Sequence, residues 1–287
     1  MKLWQAQKRQ MISSEKVWEF LRSAKNARIS LFAVQVGVNE AVQTEITVRR
    51  TKAFSGLVCP YSEYSGDKNM IKLDVRLKIA ADEVRKGKKV ADIGTDHAYL
   101  PAYLIENNIC PSAIAADIGR GPLENAKKVV STSEILNDRI ELRLSDGLKE
   151  IESHEADDIV IAGMGGILIS EILTAAPWVK DETKRLILQP MSHAEDVRRY
   201  LCENGFEIIK EKACSDVRHN YIIIVAEFTN KENDKDEAFY YKGLIQFDES
   251  EDAQKYHNSR IASLTKKRDA LKNAGQDVSE LDKIING

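Results

Sequence analysis

Cysteine is sparse in this chain. The 287 residues include four, Cys59, Cys110, Cys202 and Cys214, and no two of them form a CxxC pair. Such scatter excludes a disulfide framework and a cysteine zinc site, so no metal is expected and the thiols read as buried in a reducing compartment. Long apolar runs are missing as well. The longest, ISLFAVQVGV, is too short to cross a bilayer core of about 30 Å. The N-terminus also lacks a basic-then-apolar signal with a small-residue cleavage site, so the expected location is cytoplasmic, with no membrane partner. Nor is there a surplus of one charge: 42 Lys+Arg stand against 45 Asp+Glu, a net −3. Residues 1–69 carry 11 basic and 6 acidic side chains, which leaves −8 to the remainder. Bulk charge therefore gives no support to a nucleic-acid partner, and one would have to be held by local patches. With 43% hydrophobic and 30% charged residues, the chain is ordinary globular protein, long enough for one sizeable core and a smaller appendage.

From about Leu73 to Phe228, apolar runs alternate with amphipathic segments. The expected strands are Lys89–Gly94, Ala113–Asp117, Ile140–Leu144, Asp158–Ala162, Leu186–Gln189, Phe206–Lys210 and Tyr221–Phe228. Helical patterns fall around Tyr99–Asn107, Leu123–Ser133, Leu168–Ala176 and His193–Asn204. This alternation implies an α/β fold, with a parallel sheet covered by helices on both faces. Runs such as IVIA and LILQ lack period-two polarity, as strands buried on both sides do. Ser192 with Glu195 fits a capping box, and Gly205 stands where a left-handed C-terminal cap belongs. The last two strands are separated only by Ala213–Asn220, too short for a helical crossover, so they should form an antiparallel hairpin at one sheet edge. Five alternating strands and a terminal hairpin are the layout of a Rossmann-like methyltransferase.

The ends differ from this middle. Residues 230–287 start with the polar NKENDKDE and continue as charged sequence with Ile261, Leu264 and Leu271 at helical spacing. A break at Ala274–Asp277 precedes Val278–Ile285, which suggests a short helical hairpin. Residues 1–69 hold Trp4 and Trp18 but show no sustained periodicity beyond about Ser14–Ala27. The first helix of the middle region is expected to begin just after Met70, at IKLDVRLKIAADEV. Met70 thus reads as a natural start and 1–69 as an extension of uncertain status. The expected domains are 1–69, 70–229 and 230–287.

Chemistry concentrates at VADIGTDHAYLP, residues 90–101. Gly94 opens a strand–helix turn, but a dinucleotide loop would place a second glycine at 96, and here Asp96 and His97 follow. Pyrophosphate at a helix N-terminus is held by N–H groups and the dipole. Carboxylates beside it would repel, by a few kcal/mol at contact distance for an effective dielectric of about 20. A cationic ligand reverses that sign. S-adenosylmethionine carries a sulfonium and an ammonium beside a carboxylate, so Asp92 and Asp96 suit its amine while loop amides suit its carboxylate, with Gly94 and His97 of the same turn as further cofactor contacts. Asp117 ends the second strand some twenty residues on, where a carboxylate can take both ribose hydroxyls. Asp146 in LSDGL, with Gly147, follows the third strand and could accept from the adenine amino group, while Leu148 covers the ring. DDIVIAGMGG brings Gly163 to Gly166, with Gly163 and Gly165 as cofactor contacts, to the carboxyl end of the fourth strand. All four elements fall on the edge where open α/β sheets bind ligands. Singly each has a plainer reading: a structural cap for Asp92 or Asp117, a turn for Asp146-Gly147, a helix entry for Gly165-Gly166. Their order and common edge favour S-adenosylmethionine.

These blocks, VADIGTDHAYLPAYLIENN, AIAADIGRGPLENAKK, DGL, DIVIAGMGG and RLILQP, closely resemble the bacterial tRNA (adenine-22-N1)-methyltransferase family over about Met70 to Phe228. Asp117 stands where that family often has a glutamate. The resemblance implies a class I methyltransferase sheet with a helical, coiled-coil-like C-terminal part, S-adenosylmethionine as cofactor, and transfer to N1 of an adenine in the D-arm region of tRNA. Adenine N1 has an in-plane lone pair, free at neutral pH, so alignment is the main catalytic demand. The chain has no Asn/Asp-Pro-Pro-Tyr stretch of the kind used on exocyclic amines. Candidates for the target-base side are His97, Tyr99, Met164 and Gln189. His97 is equally a hydrogen-bonded turn residue, Tyr99 helix packing, Met164 core filler and Gln189 a strand-end cap. RNA contacts would come from Arg85–Lys89, Lys127-Lys128, Arg198-Arg199 and Lys266-Lys267-Arg268, with the helical tail gripping the tRNA. A monomer is favoured. Rival readings are a methyltransferase for another RNA, a protein or a small molecule, a non-catalytic RNA-binding protein with a relict pocket, and an NAD enzyme, which Asp96 disfavours.

Overall fold

A computed structural model describes residues 71–217, 219–231 and 235–286, together with the backbone of two strands, 30–35 and 42–47. The chain divides into two compact units, Met1–Gly66 and Asp67–Gly287. In the first, β1 (Ser30–Gln35) and β2 (Val42–Thr47) pair antiparallel. Met70, Trp4, Trp18 and Cys59 lie outside the described residues.

The second unit is built on a seven-stranded sheet: β3 (Val90–Ile93), β4 (Ala113–Asp117), β5 (Ile140–Leu144), β6 (Asp158–Gly165), β7 (Arg185–Ser192), β8 (Phe206–Ser215) and β9 (Asn220–Phe228). Its order is β5-β4-β3-β6-β7-β9-β8. The first five strands run parallel, and the β8–β9 hairpin joins antiparallel through β9. Every expected strand is present. The hairpin turn is shorter than expected, because β8 continues to Ser215.

The helices are α1 (Val75–Asp82), α2 (Tyr99–Glu106), α3 (Arg120–Val130), α4 (Glu134–Arg139), α5 (Gly166–Thr174), α6 (Ala194–Glu203), α7 (Glu237–Lys242), α8 (Glu251–Asn273) and α9 (Ser279–Asn286). Among the described residues no helix is long and apolar enough to cross a membrane. Two helix starts differ from expectation. α1 begins later, because Asp74 accepts from the Leu77 amide and caps it there. At α6 there is no capping box: His193, with φ 56°, is the N-cap without a side-chain bond, and Ser192 still belongs to β7. Gly205 does close α6 in the left-handed region.

Strand burial shows why the sheet forms. Ile159, Val160 and Ile161 of β6 are all fully buried, but they divide between its two faces. Ile159 and Ile161 pack with Ala91, Ile93, Leu186 and Leu188. Val160 joins Val90, Ala115, Ile187 and Val225 on the other side. The tail is no loose appendage, since Tyr240, Ile245, Ala253 and Tyr256 belong to the first of these clusters. For function the decisive feature is the strand order. The chain proceeds from β3 outward to β5 and then returns to place β6 on the other side of β3. Between β3 and β6 the connections therefore diverge and leave a crevice at the carboxyl ends of the strands.

Candidate active site

The turn after β3 is shaped by its backbone. Gly94, at φ +80°, bends the chain back so that its amide and that of Thr95 both bond to the Ala116 carbonyl, at 2.8 and 3.0 Å. A Cβ on Gly94 would overlap the end of the Met164 side chain, which lies over this turn. Asp96 (φ 41°) and Ala98 (φ 55°) also adopt left-handed conformations. Such backbone costs about 1–3 kcal/mol per residue and concentrates at functional sites. The Gly94 and Thr95 amides are spent within the protein; among the described residues, those of Asp96 and His97 remain for a ligand.

Asp92 is buried at the floor, where its Oδ2 accepts from Thr95 Oγ1 at 2.7 Å. Burial pushes its carboxyl up to about 6, opposed by the Thr95 hydroxyl and the Arg76 guanidinium, with Asp117 adding to the rise. Asp96 is exposed, with Oδ2 3.5 Å from His97 Nε2. The His97 ring stacks on Tyr99 at 5.1 Å between centroids and 9° between planes, and Tyr99 is 43% exposed at the start of α2. At the end of β4, Asp117 uses Oδ1 to accept from the Gly119 amide at 2.7 Å. Asp146, beyond β5, is exposed and pairs with Lys149 at 2.5 Å.

On the other side of the crevice, β6 carries register shifts around Met164, a bulge that kinks the GMGG segment while Met164 and Gly165 stay paired with Pro190 and Ser192 of β7. Gly163, φ +86°, faces the Arg76 guanidinium, whose Nη1 would lie 3.2 Å from a Cβ there. Gly165 caps α5. At the end of β7, Gln189 is fully buried: Oε1 accepts from Arg76 Nη1 and from the Gly163 amide, both at 3.1 Å, and Nε2 donates to the Pro190 carbonyl.

The structure thus brings Asp92, Gly94, Asp96, His97, Tyr99, Asp117, Asp146, Gly163, Met164 and Gly165 to one sheet edge. Three expectations need correcting. Leu148 does not face a ligand; it is buried among Ile151, Ile172 and their neighbours, and Gly147 backs onto Ile172 at 2.9 Å from the position of a Cβ. Exposed apolar side chains at this rim are instead Ile118 and Leu144. Gln189 has no free edge to read a base, because its amide is committed to Arg76, Gly163 and Pro190. Among the basic clusters, Arg198 is fully buried against Glu211, Arg199 pairs with Glu237, and Arg85 pairs with Asp158. Lys86, Lys127, Lys128, Lys266 and Lys267 stay exposed. Arg76 and Thr95 were not foreseen. Arg76 sits 113 positions from Gln189, and nothing in its local sequence marks that meeting. A groove of about 600 Å³ around Lys89, Ser112, Arg139 and His154 lies at the opposite strand ends, away from these groups.

A sheet of this order, with acids and glycines at one edge, defines a class I methyltransferase, and residues 73–224 match the family model described as a methyltransferase domain. The Bacillus subtilis tRNA (adenine(22)-N(1))-methyltransferase is 42% identical over 171 residues, which span 60% of this chain and 70% of that relative. The crystal structure of the B. subtilis m1A22 tRNA methyltransferase TrmK superposes with a TM-score of 0.61 and 32% identity, over 75% of this chain and 94% of that one. M. capricolum TrmK in complex with S-adenosylhomocysteine gives 0.61 and 27%, over 75% and 98%. The chain belongs to the tRNA (adenine(22)-N(1))-methyltransferase family.

Proposed function

We propose that this protein transfers a methyl group from S-adenosylmethionine to N1 of an adenine in tRNA, at position 22 of the D-arm region. The observation that carries this reading is the joint placement of Asp92, Asp96, Asp117 and the GMGG bulge at one sheet edge in a chain of this family. The residues fit the cofactor. Buried Asp92 and exposed Asp96 supply anionic charge for a cation, and the Asp96 and His97 amides supply donors for a carboxylate. Asp117 has one oxygen engaged by Gly119 and one for ribose hydroxyls, while Asp146 and Ile118 bound the far end. When bound, the cofactor supplies an electrophilic methyl group.

The protein's own part is alignment. N1 needs no base, so the chain has to hold the adenine in line and exclude alternatives. The stacked His97–Tyr99 pair offers an aromatic face, and Met164 an apolar one. Gln189 contributes by fixing Gly163 and Arg76. As the ring gains positive charge, nearby carboxylates and bulge carbonyls stabilise it. A base inside folded tRNA must first leave its stack, at a cost of a few kcal/mol. The three described cysteines are free thiols, which accords with the cytoplasm where tRNA resides. One chain presents the whole site, which accords with a monomer. The division we adopt is 1–69, 70–229 and 230–287, the last a region packed into the core of the second and not independent of it.

The test is methylation of unmodified tRNA transcripts by the full chain with labelled S-adenosylmethionine, mapped by the reverse-transcription stop at N1-methyladenine. A stop at adenine 22, lost in Asp92→Ala, is expected. Cofactor binding without methylation of any transcript would redirect the search to other substrates.

A further inference from the structure

Arg76 is a charged side chain of the crevice to which no contact with cofactor or substrate has been assigned. It projects from the first turn of α1 into the crevice and is held from several sides. Its Nη1 donates to Gln189 Oε1 at 3.1 Å, and its Nε lies 3.2 Å from Asp74 Oδ2. Gly163 leaves room for Nη1, and the buried Asp92 carboxylate feels its charge. Among the described residues no group accepts from Nη2, and with 24% of the side chain exposed the guanidinium keeps donor capacity while Gln189 and Asp74 hold it in place.

Position decides what that donor meets. The carboxylates suited to the cofactor's ribose and adenine, Asp117 and Asp146, follow β4 and β5. Arg76 is anchored to β6 and β7, across the switch point, on the side left for the second substrate. That substrate is a polyanion approaching a rim lined by Asp74, Asp96, Asp117 and Asp146. A fixed guanidinium there supplies a favourable contact for an oxyanion, and a forked donor matches phosphate geometry. Phosphate contacts of this kind set register and leave sequence reading to others.

We propose that Arg76 binds a backbone phosphate of the tRNA strand that carries the target adenine, and so sets where that nucleotide enters the crevice. This rests on the tRNA methyltransferase reading above. It makes Arg76 a substrate-anchoring residue, held ready by Gln189 and Asp74.

The experiment compares full-length wild type, Arg76→Gln and Arg76→Lys. It measures steady-state methylation of tRNA transcripts, S-adenosylhomocysteine binding, and tRNA binding at several salt concentrations. For Arg76→Gln we expect the KM for tRNA to rise about tenfold, equivalent to about 1.4 kcal/mol. With binding measured at pH 8.5, where Asp92 stays ionised even without the neighbouring guanidinium, S-adenosylhomocysteine affinity should stay within about twofold, as should kcat at saturating tRNA. The slope of log affinity against log salt should become shallower by about 0.7–0.9, the loss of one phosphate contact. Arg76→Lys should keep the wild-type slope and recover part of the KM. A weaker S-adenosylhomocysteine affinity with an unchanged salt slope would assign the oxyanion to the cofactor's carboxylate and overturn the proposal. A fall in kcat alone, with the slope unchanged, would make Arg76 a mere support for Gln189 and overturn it equally. If Arg76→Gln loses its fold by thermal melting, Arg76→Met, which keeps the apolar stem without the charge, decides: a shallower slope supports the contact, an unchanged slope refutes it. Failure of the wild type to methylate any tRNA would instead defeat the underlying reading.

Discussion

Arg198 of α6 and Glu211 of β8 form an ion pair from which solvent is fully excluded: Nε lies 2.7 Å from Oε1, and both side chains are 0% exposed. The guanidinium also donates to the Tyr240 carbonyl at 2.8 Å and to the Tyr256 hydroxyl at 3.2 Å. Glu211 Oε2 accepts from the Leu244 amide at 2.7 Å. One pair therefore ties α6, β8, α7 and α8 together. Arg198→Ala should destabilise the protein by about 3–5 kcal/mol, because it strands a buried carboxylate. Replacing both residues with apolar ones of similar size should cost less than that single change. Denaturant unfolding of the single and double variants checks the order, and a double variant as unstable as Arg198→Ala would contradict it.

The same pair changes what a truncation can show. Removing residues 231–287 would do more than delete a tRNA grip. It would remove Tyr240, Ile245, Ala253 and Tyr256 from the core cluster they share with the sheet and unpair Arg198 and Glu211 from Tyr240, Tyr256 and Leu244. A truncated chain should therefore melt lower and lose cofactor and tRNA binding together. Charge reversal at exposed Lys266 and Lys267, in the intact fold, isolates the tail's contribution to RNA. Glutamate at both positions should leave the melting temperature within about 2 °C, since surface changes rarely exceed about 0.5 kcal/mol. If the tail grips tRNA, the same variant binds it more weakly and with a shallower salt dependence. Unchanged binding would remove the tail from the interface.

Asp92 makes cofactor binding depend on pH. Its carboxyl, pushed up to about 6 by burial, is mostly ionised at pH 7 and mostly protonated at pH 5. If the ionised form holds the cofactor's amine, S-adenosylhomocysteine affinity falls as pH drops through about 6, by about tenfold between pH 7 and pH 5. Asp92→Asn should bind weakly at both pH values, without that step. Stability runs the other way. A carboxyl raised in the folded state binds its proton more tightly there than in the unfolded chain. Stability from Asp92 is thus present at acid pH and lost as pH rises from about 4 to about 6. Asp92→Asn should therefore melt higher than wild type at pH 7.5 and not at pH 4. Equal melting at pH 7.5 would show that the burial is relieved by water.

Much of this site was legible because the informative residues are local in sequence. Asp117 and the GMGG run each sit at the end of an apolar strand whose boundary the pattern reveals, so their common edge follows from parallel pairing. The failures share a different cause. Leu148 could not be told from a ring-covering residue, because whether an apolar side chain faces core or crevice depends on Ile151 and Ile172 packing from elsewhere. Arg198 looked like half of a basic surface pair; its partner Glu211 is 13 positions away on the next strand, and only the fold turns one arginine inward and leaves the next outside. The Ser192–Glu195 capping box failed because β7 holds Ser192 in its ladder with Gly165, so tertiary pairing overrode a local signal.

The His97–Tyr99 stack separates two roles for Tyr99. If its ring is a platform for a nucleobase, Tyr99→Phe should keep activity within about twofold, since the face is what matters. Tyr99→Ala should raise the tRNA KM by about tenfold or more, because stacking on an aromatic side chain is worth about 1–3 kcal/mol per base. Cofactor binding should hardly change in either. Equal loss in both variants would point to the hydroxyl and dismiss stacking.

Gly163 and Arg76 should behave as one unit. Alanine at 163 faces two penalties: a left-handed conformation at φ +86°, about 1–2 kcal/mol, and a Cβ 3.2 Å from Arg76 Nη1. The second displaces the guanidinium from Gln189, which also accepts the Gly163 amide. Gly163→Ala should therefore lower kcat/KM for tRNA. In Arg76→Gln the side chain that would be displaced is already gone, so adding Gly163→Ala should cost less there than in wild type. A double-mutant cycle on kcat/KM should give a coupling above about 0.5 kcal/mol, the scale for residues in contact. Strict additivity would mean that the glycine is needed for its backbone angle alone, and that making room for Arg76 is incidental.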